Sequence, residues 1–206
     1  MKLYGFPPSP NTRKVQALAL QLNVPLEFQL VNLPAGEHRK PEYLKINRSG
    51  RTPTLVDGDF KLAESNAIMQ YVAAKAGPNT MWPKDDYVRA KVQAWLCWQL
   101  DHWNRGCNLL TWENLVKKLV NAGEPDAAEV KRGEQLFNTY ASELNSHLEG
   151  RDYLVGGNLT LADFAVAAPL EHAEAARFPL GAYGNIRRWY AGIARLDAWR
   201  KTAPQR

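Results

Sequence analysis

Apolar and polar positions alternate along the chain in recognisable periods, and the period changes near residue 80. Residues 2–6, KLYGF, read as a short strand. Over the next stretch the period lengthens: Val15, Leu18, Ala19 and Leu22 recur at helical spacing. Ser9 stands where a helix cap belongs, and Pro10 fits the first helical position. LEFQLVNL (26–33) predicts a second strand, parallel to the first if the helix is the crossover. A polar loop, AGEHRK, and a short helical piece, PEYLKIN, follow. TPTLV (52–56) and FKLA (60–63) flank Asp57-Gly58-Asp59, a hairpin signal. SNAIMQYVAAKAG then predicts a helix that stops at Gly77-Pro78.

The order is β-α-β, a short helix, then β-β-α, which is the thioredoxin-like arrangement. Where a thioredoxin carries CxxC after its first strand, this chain has SPNT, which excludes dithiol redox chemistry within the chain. GPNTMWPKDD (77–86) reads as a linker, and beyond it nearly everything is helical: 86–120, 126–149, 160–176 and 183–200. The expected fold is thus α/β plus all-α: a thioredoxin-like domain at 1–77, a linker at 78–86 and an all-helical domain at 87–206. LTLADF (159–164) is a helix-start signal, with Thr160 and Asp163 at capping-box spacing and Leu159 and Phe164 as a hydrophobic staple. On the long helix, Val92, Leu96, Leu100, Trp103, Cys107 and Leu110 form an apolar stripe expected in the core. Trp98, His102, Arg105, Leu109 and Trp112 share a nearly opposite face. Two tryptophans there are too many for a solvent face, and an arginine does not suit a core stripe. That face reads either as a cleft wall or as a subunit seam.

Composition narrows the function. The 206 residues carry a net charge of +5, and residues 1–77 hold 10 Lys and Arg against 6 Asp and Glu, a net of +4. No basic run has interleaved aromatics, so nucleic acid is disfavoured and a small anionic ligand in the first domain fits better. No stretch is apolar enough to span a membrane and the start lacks a signal peptide, so the expected location is cytoplasmic. Cys97 and Cys107 lie about 15 Å apart along one helix, too far for a disulfide, and both read as buried thiols. No metal motif is present.

Five features together carry a resemblance: Ser9 in PPSPNTRKV; GEHRKPEYLKINRSGRTPTL, with its Pro before the third strand; KLAESNAI; the linker; and LTLADF. Across essentially its whole length the sequence resembles the soluble glutathione transferases. GFPPS, GEHRK and DHWNR look most like the plant phi class and its bacterial relatives, and SPN also resembles the nu-class branch. The resemblance implies glutathione as co-substrate with no cofactor or metal, a small hydrophobic electrophile as second substrate, a homodimer, and no nucleic-acid or membrane partner. For the dimer seam it suggests Met69, Val72, Tyr87 and Lys91.

The resemblance also implies roles for particular residues. The γ-glutamyl end of glutathione is a zwitterion, so an acid must face its ammonium and donors its carboxylate. Glu64 and Ser65, at the start of a helix, fit both needs. Without the resemblance, Ser65 reads as a helix cap and Glu64 as a solvated side chain. Thr52 before a cis Pro53 offers backbone hydrogen bonds to the cysteinyl unit, and Arg51 stands within reach of a carboxylate. His38 and Lys40 are the candidates for the glycine carboxylate. Ser9 matches the catalytic serine, which donates a hydrogen bond to the thiolate. Asn11 competes for that role, and with it comes an alternative: glutathione-dependent disulfide or peroxide reduction. A non-enzymatic regulator on the same fold is the remaining alternative. Phe6 and Pro7, with Trp98, His102, Arg105 and Trp112, are the candidates for the electrophile pocket.

Overall fold

β1 (Lys2–Gly5) runs into a short loop that turns directly into α1 (Pro10–Gln21). Ser9 has extended backbone (φ −81°, ψ 123°) and Pro10 takes the first helical position, so the helix starts where the sequence predicts. The loop lies close against the helix. A Cβ on Gly5 would stand 2.6 Å from Thr12 Cγ2, and the Phe6 N–H donates to Thr12 Oγ1 at 3.2 Å. The computed structural model in which this is seen describes residues 1–204.

β2 (Glu27–Leu30) pairs parallel with β1, Leu3 opposite Phe28. A 3₁₀ turn (Glu37–Arg39) and α2 (Pro41–Leu44) lead to β3 (Thr54–Asp57) and β4 (Phe60–Leu62). β3 pairs antiparallel with β1, Leu3 opposite Leu55, and β4 pairs antiparallel with β3. The sheet order is β2-β1-β3-β4, the thioredoxin-like arrangement that the element order predicts. α3 (Ser65–Lys75) packs on α1. Leu3, Leu18, Leu55, Ile68, Met69 and Val72 are fully buried, each burial contributing about 1.5–3 kcal/mol. Met69 and Val72 are therefore interior residues of one chain, not seam residues.

The second unit begins with one helical run through 86–119. It comprises α4 (Asp86–Trp98), a π-helical stretch (Gln99–Trp103), α5 (Asn104–Thr111), a second π-helical stretch (Trp112–Val116) and α6 (Lys117–Leu119). Asp85 caps α4, accepting from the Val88 N–H at 2.8 Å. α7 (Ala127–His147) lies against α5, and it comes close because Gly106 has no side chain: a Cβ there would be 2.5 Å from the Phe137 backbone nitrogen. α8 (Leu161–Ala167) opens with the predicted capping box and is followed by α9 (Gly184–Arg195).

Two differences from the sequence expectation concern the long helix. Val92, Leu96, Trp103, Cys107 and Leu110 are buried as expected, but Leu100 is 49% exposed and Gln99 is 1% exposed in its place. Gln99 and Leu100 stand on opposite edges of the stripe, and the wider turn of the π-helical stretch Gln99–Trp103 departs from the period of about 100° per residue on which the expectation rests. Gln99 is tolerated inside because its amide donates to Asn104 Oδ1 at 2.7 Å. Cys97, one position round from Leu96, is exposed, while Cys107 is buried.

The end of the chain does not stay with the helical unit. Leu196 takes extended backbone (φ −59°, ψ 134°) between α9 and α10 (Asp197–Lys201), where the sequence predicts unbroken helix. By their contacts the residues form two compact units: Met1–Pro83 with the chain from Leu196 onward, and Lys84–Arg195. α10 packs on α1, where Arg13 donates to the Trp199 carbonyl at 2.9 Å and lays its guanidinium 4.5 Å from the centre of that indole ring. Among the described residues no helix is long and apolar enough to cross a membrane.

Candidate functional site

The start of α3 is built in an unusual way. Glu64, not Ser65, occupies the cap position, and it does so with φ 67°. Left-handed backbone in a residue other than glycine costs about 1 kcal/mol or more, so the surrounding fold must hold it. The Glu64 side chain makes no cap bond, and Ser65 is the first helical residue. The Ser65 hydroxyl donates to Asn11 Oδ1 at 3.2 Å, tying the start of α3 to the start of α1. The N–H groups of the first turn have no acceptor within the helix and favour an anion in front of them.

Six candidate residues meet there. Asn11, Arg51, Thr52, Pro53, Glu64 and Ser65, with Asn47, Ser49 and Ala63, line one cleft of about 110 Å³. The Thr52–Pro53 bond is cis. The loop before it is held from two sides. Tyr43 donates its hydroxyl to the Arg51 carbonyl at 2.6 Å, and Asn47 donates to the same carbonyl at 2.9 Å and to Thr54 Oγ1 at 3.0 Å. Asn47 and Ser49 line the cleft although the sequence reading does not name them. The available signal was the Asn-Arg-Ser-Gly turn, in which Ser49 N–H donates to Asn47 Oδ1 at 3.0 Å.

Ser9, His38 and Lys40 do not line that cleft. Ser9 caps α1 through its backbone alone: its carbonyl accepts from the Thr12 and Arg13 N–H groups, both at 3.0 Å, and its hydroxyl makes no cap bond. His38 lies in the 3₁₀ turn with Nδ1 buried and without a hydrogen-bond partner. Lys40 is exposed, 4.0 Å from Glu37.

Behind the cleft lies Lys14, also missed by the sequence reading. It is 0% exposed, and its ammonium donates to Asn66 Oδ1 at 2.6 Å. Burial pushes its pKa down to about 7, opposed by the charge of Glu64. The signal was positional: Lys14 precedes Leu18 by four residues, on the stripe that α1 buries.

The electrophile candidates do not form one group. In the first unit, Pro7 lines a cavity of about 770 Å³ beside α1, and Phe6 fixes the loop through its N–H. In the helical unit, Trp98 and His102 belong to an aromatic cluster with Tyr140, at ring distances of 6.2 and 5.2 Å. Arg105 and Trp112 line a separate concavity of about 620 Å³ with Leu109, Asn108, Arg132 and Leu136. Arg105 is not unpaired there, since it bonds Asp101 at 3.0 Å.

Known proteins share both the sequence pattern and the fold of this chain. Residues 3–80 match the glutathione S-transferase N-terminal domain, and residues 94–197 match the C-terminal domain. Glutathione S-transferase 3 of Zea mays is 34% identical over 207 residues, 98% of this chain and 92% of that protein. Among solved structures, glutathione transferase F7 from Populus trichocarpa superimposes with a TM-score of 0.89 at 25% identity, over 98% of this chain and 96% of its own. Glutathione S-transferase III in its apo form gives 0.84 at 32% identity, over 98% and 94%. Glutathione S-transferase-I bound with lactoylglutathione gives 0.87 at 26% identity, over 98% and 97%. With both domains matched and a curated relative alike across nearly its full length, the chain belongs to the glutathione S-transferase family.

Proposed function

We propose that the cleft at the α3 start binds the γ-glutamyl end of glutathione and that the α1 start ionises its thiol for attack on a hydrophobic electrophile. One observation carries this reading: Glu64, Ser65, Asn11 and Thr52–Pro53 share a single cleft, with Ser65 bonded to Asn11 at 3.2 Å. Glu64 faces the ligand ammonium. The first-turn N–H groups of α3 take the γ-glutamyl carboxylate, helped by the helix dipole. The Thr52 backbone pairs with the cysteinyl unit, while Arg51, His38 and Lys40 serve the glycine carboxylate.

A free thiol has a pKa of about 8.5, so little thiolate exists at neutral pH. Lowering that pKa by about two units takes ~2.7 kcal/mol of preferential thiolate stabilisation. We assign that role to two side-chain donors at the α1 start, the Ser9 hydroxyl, which no cap bond occupies, and the Asn11 amide. The thiolate then attacks the electrophilic carbon; a C–S bond forms, the leaving group departs with the electron pair of the broken bond, and the thiol proton goes to solvent. Trp112, Leu109 and Arg105 offer apolar surface and a cation for the electrophile. We place the chain in the cytoplasm, near the phi-like branch and its bacterial relatives, as a homodimer in which exposed Phe60 and Tyr87 are available to the seam.

Two assays test the reading. Retention on immobilised glutathione, with release by free glutathione, tests the cleft. Conjugation of an aryl halide is expected to exceed reduction of a glutathionyl disulfide. The opposite ranking would assign the chain to reduction, and no retention would remove the cleft assignment.

A further inference from the structure

One face of α1 reaches the first turn of α3 twice: Asn11 meets Ser65 at 3.2 Å, and Lys14 meets Asn66 at 2.6 Å. The second contact is chemically costly. A wholly buried ammonium loses several kcal/mol of hydration unless it is paired, and lysine is among the residues least often found inside. A leucine or methionine would fill that place on α1 beside Val15 and Leu18 without the cost. The lysine instead reaches a buried asparagine one residue past Ser65, directly behind the cleft.

We propose that Lys14 is a positioning residue for glutathione binding: through Asn66 it holds the first turn of α3, and it sets a buried positive charge behind the place where the γ-glutamyl carboxylate docks. This rests on the reading of the cleft as a glutathione site. Glutathione carries two carboxylates and one ammonium, so its net charge is negative and a cation in a low-dielectric setting behind the site favours it. Glu64, on the α3 side, is the acid whose charge acts on Lys14. The other charged groups of the first unit near α1 pair elsewhere. Asp57 bonds Tyr71 and Lys75, Lys2 bonds Glu27, and Asp197 bonds Arg200 and Lys201. Arg13 turns to Trp199.

Reciprocity follows from linkage: if the ammonium favours the ligand, the ligand favours the ammonium. With its pKa pushed down to about 7 by burial, Lys14 is partly neutral near that pH, so binding takes up a proton. A merely structural lysine would show no such uptake.

The test is calorimetry with S-methylglutathione, which has no ionisable thiol. It is run in buffers of different ionisation enthalpy between about pH 6 and 7.5, below the titration of the probe's ammonium. The wild type is expected to take up a fraction of a proton per ligand near neutrality. Lys14→Met should take up none and bind roughly tenfold more weakly, and Lys14→Arg, which keeps the charge, should recover part of the affinity. Histidines ionise in the same window, so His38→Gln is titrated alongside. Uptake that vanishes in His38→Gln and persists in Lys14→Met overturns the proposal. So does a folded Lys14→Met that binds like the wild type, and that result leaves the cleft assignment standing. A wild type that does not bind the probe at any pH overturns both. Should Lys14→Met not fold, the wild-type measurement decides alone: no proton uptake overturns the proposal.

Discussion

Asp163→Ala tests how the helical unit is held together. The Asp163 carboxylate is fully buried and accepts four hydrogen bonds. Leu154 N–H donates at 2.9 Å, Thr160 N–H at 2.8 Å, Thr160 Oγ1 at 3.1 Å and Trp189 Nε1 at 3.1 Å. One side chain thus fixes the α8 start, the loop before it and α9. Truncation removes every acceptor at once. The threonine hydroxyl can rotate to another partner, but the three N–H groups cannot leave. Each stranded donor costs about 1–3 kcal/mol, so the loss is about 3–6 kcal/mol once some water enters the space. That is roughly half of a typical stability of ~5–15 kcal/mol, and about 10 °C in Tm for a chain of this size. Asp163→Asn keeps the shape and one acceptor oxygen but turns its NH₂ toward two of the donors, so it should lose about half as much. Urea denaturation monitored by tryptophan fluorescence and helical circular dichroism measures both variants, with the wild-type slope retained. A loss below about 1 kcal/mol for Asp163→Ala would show that these bonds are not what holds the α8 start.

Three further outcomes follow from the same geometry. Lys14, with a folded pKa of about 7 against 10.5 for the free side chain, binds its proton more tightly when unfolded; stability therefore rises with pH between those values, by up to ~1.4 kcal/mol per pH unit from this group. Comparing urea denaturation of wild type and Lys14→Met from about pH 7 to 9 should show the slope in the wild type alone, and equal slopes would refute it. Ser65→Ala removes the bond to Asn11 and should raise KM for glutathione several-fold with a smaller change in kcat; an unchanged KM would separate that bond from binding. Arg105→Ala and Trp112→Ala should alter selectivity among electrophiles and spare glutathione affinity; dimer dissociation with unchanged selectivity would make their concavity an interface.

The parts of the fold legible in the sequence are those where local chemistry and tertiary need agree. Pro10, the Asp57–Asp59 turn, Gly77-Pro78 and the Thr160/Asp163 box each fix a boundary by themselves, and the sheet order follows from the crossover. The misses share a different physics. Leu196 breaks a helix with no glycine or proline at that position, because α10 packs against α1 beside Arg13 and Trp199. Gln99 enters the core because Asn104 satisfies its amide. Glu64 adopts φ 67°, a conformation that no propensity rule grants a glutamate and that only the surrounding contacts can hold. At the cleft, residue types pick out Asn11, Arg51, Thr52, Pro53, Glu64 and Ser65, which line it, together with Ser9, His38 and Lys40, which do not. The groups behind them, Tyr43, Asn47 and Lys14, leave at most a turn or a stripe position in the sequence, and what each does is set by its partner in space.

Central to the account is a glutathione thiol ionised at the α1 start, and its ultraviolet thiolate absorbance, titrated in the binary complex, tests this most directly. The wild type should titrate about two pH units below the free thiol's ~8.5, and Ser9→Ala or Asn11→Ala should raise that value, the larger shift naming the main donor. A bound thiol that titrates at its free value in the wild type, or a value that neither substitution moves, would contradict the account.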